Sequence, residues 1–147
     1  MGGDHGLADE RFDVPLEKGE TPYRGPVWSV QRDTFRYGNE TLVREFINHP
    51  GAVAVLAIDD RERILLIRQY RHPIGMRIWE IPAGLLDVHG ESPLDSAKRE
   101  LAEEADLEAR EWTVLSDFVA SPGSSDETIR IFLARDVRGL DTPFSRS

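Results

Sequence analysis

Glu100 and Glu104 stand four residues apart, with Glu103 between them. On a helix, side chains at that spacing lie one turn above the other on the same face. Like charges so placed repel by about 0.2–0.5 kcal/mol in water. One reading is an ordinary solvated face of a good helix former. The other is that a divalent cation compensates the repulsion. Mg²⁺ and Mn²⁺ take hard oxygen ligands and often bind through one or two carboxylates, leaving positions for substrate phosphates. Glu103 adds a third carboxylate, and spacing alone leaves both readings open.

The surrounding charge sharpens the question. The chain has 147 residues, 18 Lys+Arg against 27 Asp+Glu, and a net charge of −9. Residues 1–50 carry −3, 51–86 carry +1, 87–111 carry −6 and 112–147 carry −1. Two-thirds of the excess therefore lies in 25 residues around the glutamates. Such a balance argues against nucleic-acid binding, which needs a cationic surface. The absence of cysteine removes disulfides, thiolate metal sites and thiol nucleophiles, and fits a reducing cytoplasm. The longest clean apolar run, Ala52 to Ile58, is too short to span a membrane, and no signal peptide is visible in residues 1–13.

Elements that could position these groups follow from pattern. Residues 1–25 lack periodicity and read as a flexible N-terminal arm ahead of one domain, 26–147. Val27–Tyr37 and Glu40–Ile47 read as strands around Gly38-Asn39. Ala52–Ile58 reads as a buried strand forming a hairpin with Arg63–Tyr70, across the polar turn 59–62. Ile78–Ile81 is a short strand. The clearest helix spans 92–107, with Ser92 as cap, Pro93 at its first position and Asp95 completing a capping pattern. Leu94, Ala97, Leu101 and Ala105 give its apolar stripe. Glu111–Phe118 and Thr128–Ala134 read as strands around the loop 121–127, and the residues after Ala134 as irregular. The fold class is α+β with a mixed sheet. A single helix covers one sheet face, which leaves the second to be explained.

The stretch Gly84–Leu107 resembles the Nudix box of the Nudix hydrolases. Gly84, Glu91, Arg99, Glu100, Leu101, Glu103, Glu104 and Leu107 match the family pattern. Six residues rather than five separate Gly84 from Glu91, an insertion that a loop absorbs cheaply. Asp106 replaces the late Gly of the pattern and must take a left-handed backbone. Ile67-Arg68-Gln69-Tyr70-Arg71-His72-Pro73, Trp79-Glu80-Ile81-Pro82-Ala83-Gly84 and Ser121 to Glu127 are similar to the ADP-ribose pyrophosphatase branch. The resemblance implies a Nudix fold and hydrolysis of ADP-ribose to AMP and ribose 5-phosphate. It also implies Mg²⁺, with Mn²⁺ as an alternative, and a homodimer.

Carried onto this chain, it implies that Glu100, Glu104 and the Ala83 carbonyl ligate metal, and that Glu103 ligates metal or orients the attacking water. Arg99 belongs to the same catalytic core. Arg68 would face the diphosphate, with Arg71 as a further, weaker candidate. Glu127 would touch the terminal ribose. Arg44 and Glu45 would build the adenosine end across a dimer. Trp28 or Trp79 could stack on a base, although Trp79 reads better as core. The alternatives are another nucleotide sugar or dinucleotide as substrate, a ligand-binding module without turnover, and an unrelated acidic-helix interaction protein.

The branch often draws a water-activating Glu from a loop beyond the strand that begins at Thr128. Residues 136–147 contain no Glu, only Asp136 and Asp141, and no closing helix is readable there. The expectation is a chain truncated at its C-terminus, with Glu103 as the substitute base.

Overall fold

Val53, Val55 and Ala57 are β-branched or small, alternate along the chain, and are almost fully buried. They belong to strand β4, Ala52–Ala57, the centre of the molecule. The computed structural model describes residues 8–141. Three strands precede β4: β1 (Leu16–Arg24), β2 (Ser29–Tyr37) and β3 (Glu40–Asn48). Then come β5 (Ile67–Arg71), a 3₁₀ turn (His72–Ile74), β6 (Met76–Glu80) and β7 (Ala83–Leu85). Helix α1 (Pro93–Ala105) and the long strands β8 (Leu107–Val119) and β9 (Thr128–Gly139) follow.

The central sheet has the order β7-β4-β9-β8. β4 runs parallel to β9 and antiparallel to β7, so the sheet is mixed. One face packs on α1 through Val53, Val55, Phe132 and Ala134 against Ala97 and Leu101. The pleat sends Ala52, Ala54, Ile129 and Ile131 to the other face, which floors an open cleft of about 590 Å³. Thus the second face, which no helix covers among the described residues, is the floor of a cavity. A three-stranded sheet, β1-β2-β3, and the hairpin β5-β6 complete the fold.

The helix forms as its sequence demands. Ser92 Oγ accepts the Asp95 N–H at 3.1 Å, and Pro93 occupies the first turn. Asp106 ends it at φ 54° and ψ 38°, in the left-handed region, and its N–H donates to the Ala102 carbonyl. The chain turns there directly into β8, four residues earlier than the strand pattern predicts.

Four expectations need correcting. Residues 16–24 are a strand, not part of a flexible arm. This edge strand is polar and pairs with β2, and Pro22 sits within a register shift where its missing N–H costs no ladder bond. Next, Arg63–Tyr70 does not return along β4. β7 and β9 occupy both edges of β4, leaving only the bridge Ile58–Ile64 and the Leu65 N–H to Ala57 carbonyl bond before the chain departs to pair β5 with β6. β9 also continues past Ala134 to Gly139, because β8 extends to meet it. Finally, Trp79 is not core: it is 64% exposed on the outer face of the β5-β6 hairpin.

The polar turn 59–62 is built on one carboxylate. Asp59 Oδ1 accepts the N–H groups of Arg61 and Arg63, each at 2.9 Å, and Oδ2 accepts from the Arg63 guanidinium. The Arg63 side chain, then its backbone N–H, hold the Asp59 carboxyl below its ordinary value of 3.8. A lowered carboxylate stabilises the fold above pH 3.8, and that contribution is lost as pH falls through the folded value. Asp59→Asn is therefore expected to melt lower than wild type at neutral pH, and the gap is expected to close in acid. Thermal melts across pH check this; a gap that persists unchanged in acid contradicts it.

Candidate active site

Arg99 holds the acidic helix together. Its guanidinium makes paired bonds to Glu91, Nε to Oε1 at 2.9 Å and Nη2 to Oε2 at 3.1 Å. Nη1 also reaches Glu100 Oε1 at 2.7 Å and Glu103 Oε2 at 3.3 Å. One cation thus serves three carboxylates from one turn and the loop ahead of it, and their charge drives the Arg99 pKa upward, Glu91 contributing most. Glu91 is held below its ordinary value by the same pairing.

Glu100 and Glu104 behave differently. Burial is the largest influence on each, and it pushes both carboxyls above their ordinary value despite Arg99 beside Glu100 and the Ala83 N–H beside Glu104. The Ala83 N–H donates to Glu104 Oε2 at 3.1 Å. Gly84 is opposite Glu100, and a Cβ there would collide with the Glu100 carboxyl. The helix therefore presses this carboxylate pair against the backbone of β7, and the glycine makes the approach possible. Glu103 is drawn toward Arg99 instead. Among the described residues no three acidic or imidazole side chains already converge as a metal-binding group. The donor set that fits a hard cation is the pair of desolvated carboxylates beside the β7 backbone, whose unfavourable burial such a cation would relieve.

The cleft opens on the other side of β7. Arg71, Glu80, His49 and Glu127 are its polar lining. Arg71 and Glu80 form a two-point ion pair, at 2.8 and 2.5 Å. Glu80 foremost, then Glu104 and Glu127, raise the Arg71 pKa, so this guanidinium lies in the field of both the acidic helix and the cleft. Arg68 lies elsewhere. It projects from the opposite face of the hairpin, its guanidinium carbon 5.6 Å from the Trp79 ring centroid.

Of the residues singled out from the sequence, the fold brings Glu100, Glu103, Glu104, Arg99 and Ala83 together, and brings Arg71 and Glu127 to the adjoining cleft. It does not bring Arg68, Arg44 or Glu45 there. Arg44 and Glu45 border a separate concavity of about 500 Å³ with Phe46, Pro122 and Asp126, and Glu45 pairs with Arg32 at 2.6 Å. Glu80, His49 and Asp126 escape sequence reasoning. The one available signal is the His49-Pro50-Gly51 turn that opens the most buried strand.

The NUDIX domain model matches residues 48–146. The chain is 46% identical over 125 residues to the ADP-ribose pyrophosphatase of Mycobacterium tuberculosis, a match covering 84% of this chain and 60% of that protein. It is 45% identical over 98 residues to the ADP-ribose pyrophosphatase of Bacillus subtilis, covering 67% of this chain and 52% of that one. The chain thus spans between half and two-thirds of the length of these relatives. A solved structure described as an ADP compounds hydrolase superposes with a TM-score of 0.76 at 23% identity, covering 95% of this chain and 76% of that one, and shows the same fold. With the Arg99-centred acidic helix packed on β7 and the α+β architecture expected of the resemblance, the chain belongs to the Nudix family.

Proposed function

We propose that this protein hydrolyses the diphosphate of ADP-ribose, giving AMP and ribose 5-phosphate, with Mg²⁺ at Glu100 and Glu104. The observation that carries the reading is the carboxylate pair, desolvated against β7 and adjoining a cleft that holds Arg71 and Glu127. The two relatives that are ADP-ribose pyrophosphatases support the choice of substrate. Members of the family generally need a divalent metal, and the hard oxygen donors here favour Mg²⁺ or Mn²⁺. When bound, the cation neutralises the diphosphate oxygens and polarises the phosphorus toward attack.

The chain's own residues supply the rest. Arg99 fixes the direction of Glu100 and keeps Glu103 within one turn of it. Glu103, more solvent-accessible than Glu100, takes the proton of the attacking water. Water adds its oxygen to one phosphorus, the bridging oxygen leaves with the other phosphate, and the released proton passes to solvent. Arg71, braced by Glu80, faces the anionic substrate, and Glu127 accepts from a ribose hydroxyl. Arg68 takes a lesser part, since it points away from this cleft.

Arg44 and Glu45 border the separate concavity and do not line that cleft. A homodimer in which β3 of one protomer borders the cleft of the other places them at the adenosine end. Exposed Tyr70, Met76 and Trp79 on the β5-β6 hairpin and Tyr23 and Trp28 on the β1 side offer apolar surface for such pairing. No helix of the described residues is long and apolar enough to cross a membrane. We place the protein in the cytoplasm.

Two outcomes check the metal assignment. Glu104→Gln is expected to cut ADP-ribose turnover by orders of magnitude at saturating Mg²⁺ while circular dichroism stays native; near wild-type turnover contradicts the ligand role. Gly84→Ala is expected to displace the Glu100 carboxyl and weaken Mn²⁺ binding by about tenfold or more, measured by calorimetry. Unchanged Mn²⁺ affinity would show that the close approach at β7 is irrelevant to the cation.

A further inference from the structure

His49 lies at the cleft wall with its side chain 12% exposed. Its Nδ1 accepts the Gly51 N–H at 3.1 Å, so the neutral ring carries its proton on Nε2. Nε2 stands 3.8 Å from Glu127 Oε1, a separation that a small rotation of either side chain closes to a hydrogen bond.

The two residues are also joined through the backbone. The His49 N–H donates to Asp126 Oδ1 and the Asn48 amide to Oδ2, both at 2.8 Å. The Asp126 N–H returns to the Ile47 carbonyl at 3.1 Å, and the Ile47 N–H donates to the Ser124 carbonyl at 2.8 Å. Glu127 is fixed in turn: its N–H donates to Ser125 Oγ at 3.0 Å and its carbonyl accepts the Ala120 N–H at 3.1 Å. The main chain thus ties His49, Asp126 and Glu127 together on one side, and on the other Nε2 and the carboxylate stand 3.8 Å apart.

We infer that His49 is a positioning residue for Glu127. Its Gly51-anchored ring holds one carboxylate oxygen and leaves the other free to accept from a substrate hydroxyl. Without that donor, Glu127 is free to swing toward Arg71, whose charge it already feels across the cleft. This inference rests on the reading of the cleft as the substrate site, and it concerns binding rather than the chemical step. Removing the donor is therefore expected to raise KM while kcat changes little.

The side chains that replace His49 discriminate. The Gln amide reaches the place of Nε2, whereas the Asn amide reaches only that of Nδ1. His49→Asn is expected to raise KM for ADP-ribose about tenfold, and His49→Gln to restore most of the loss. In the Glu127→Gln background, His49→Asn is expected to add little. A second measurement uses the wild-type protein without substrate: long-range ¹H–¹⁵N NMR at alkaline pH should show the His49 proton on Nε2, with that nitrogen's shift moving in Glu127→Gln.

Equal KM values for the Gln and Asn variants, additive effects with Glu127→Gln, or a proton on Nδ1 would each overturn the inference. Failure of the wild type to cleave ADP-ribose would instead remove the substrate assignment. The NMR measurement would still decide the His49–Glu127 relation, since it needs no turnover.

Discussion

The Arg99 guanidinium gathers Glu91, Glu100 and Glu103, and the rest of the acidic helix is arranged around that gathering. Nine acidic groups lie in residues 87–111 against three basic ones. Spread along a helix, they would repel and fray its first turns. Drawing three of them onto one planar cation, which is suited to paired carboxylate bonds, lets the helix stand against β7. It also separates the carboxylates by role. Glu91 is satisfied by Arg99 and ionises easily. Glu100 and Glu104, half-buried and pressed on the β7 backbone, are held in a state where their charge is costly. A divalent cation would turn this cost into affinity.

The sheet then gives the helix something to face. β4 is so completely buried because α1 covers one of its faces and strands flank both of its edges. Its other face is lined with alanine at positions 52 and 54, small side chains that leave room above the sheet. The same strand therefore supports the acidic helix on one side and floors the cleft on the other, with β7 as the partition. Arg71 stands where the two regions meet, in the field of Glu80, Glu104 and Glu127.

The helix, its cap and its left-handed end at Asp106 were legible because each is a local matter: a cap residue, a proline, an apolar stripe at a spacing of three and four. The buried strand β4 was legible from its composition. Strand pairing was not. Nothing local in Arg63–Tyr70 reveals that both edges of β4 are already taken, and nothing in polar Leu16–Arg24 reveals that β2 offers it an edge. The side of a hairpin on which an arginine emerges depends on register, and one residue of register decides between Arg68 and Arg71. His49 stayed hidden for the same reason: its partners Asp126 and Glu127 are more than seventy residues away. The residues of the box, by contrast, were found together because they share one helix and the turn before it.

We propose that burial against β7 makes Glu100 and Glu104 a cation site that Arg99 organises but does not fill. The most direct measurement is anomalous diffraction from crystals grown with Mn²⁺. A peak is expected between the Glu100 and Glu104 carboxylates beside the Ala83 backbone, with the Arg99–Glu91 pair intact. At saturating Mn²⁺, density absent from that position, or confined to carboxylates elsewhere on the molecule, would contradict it.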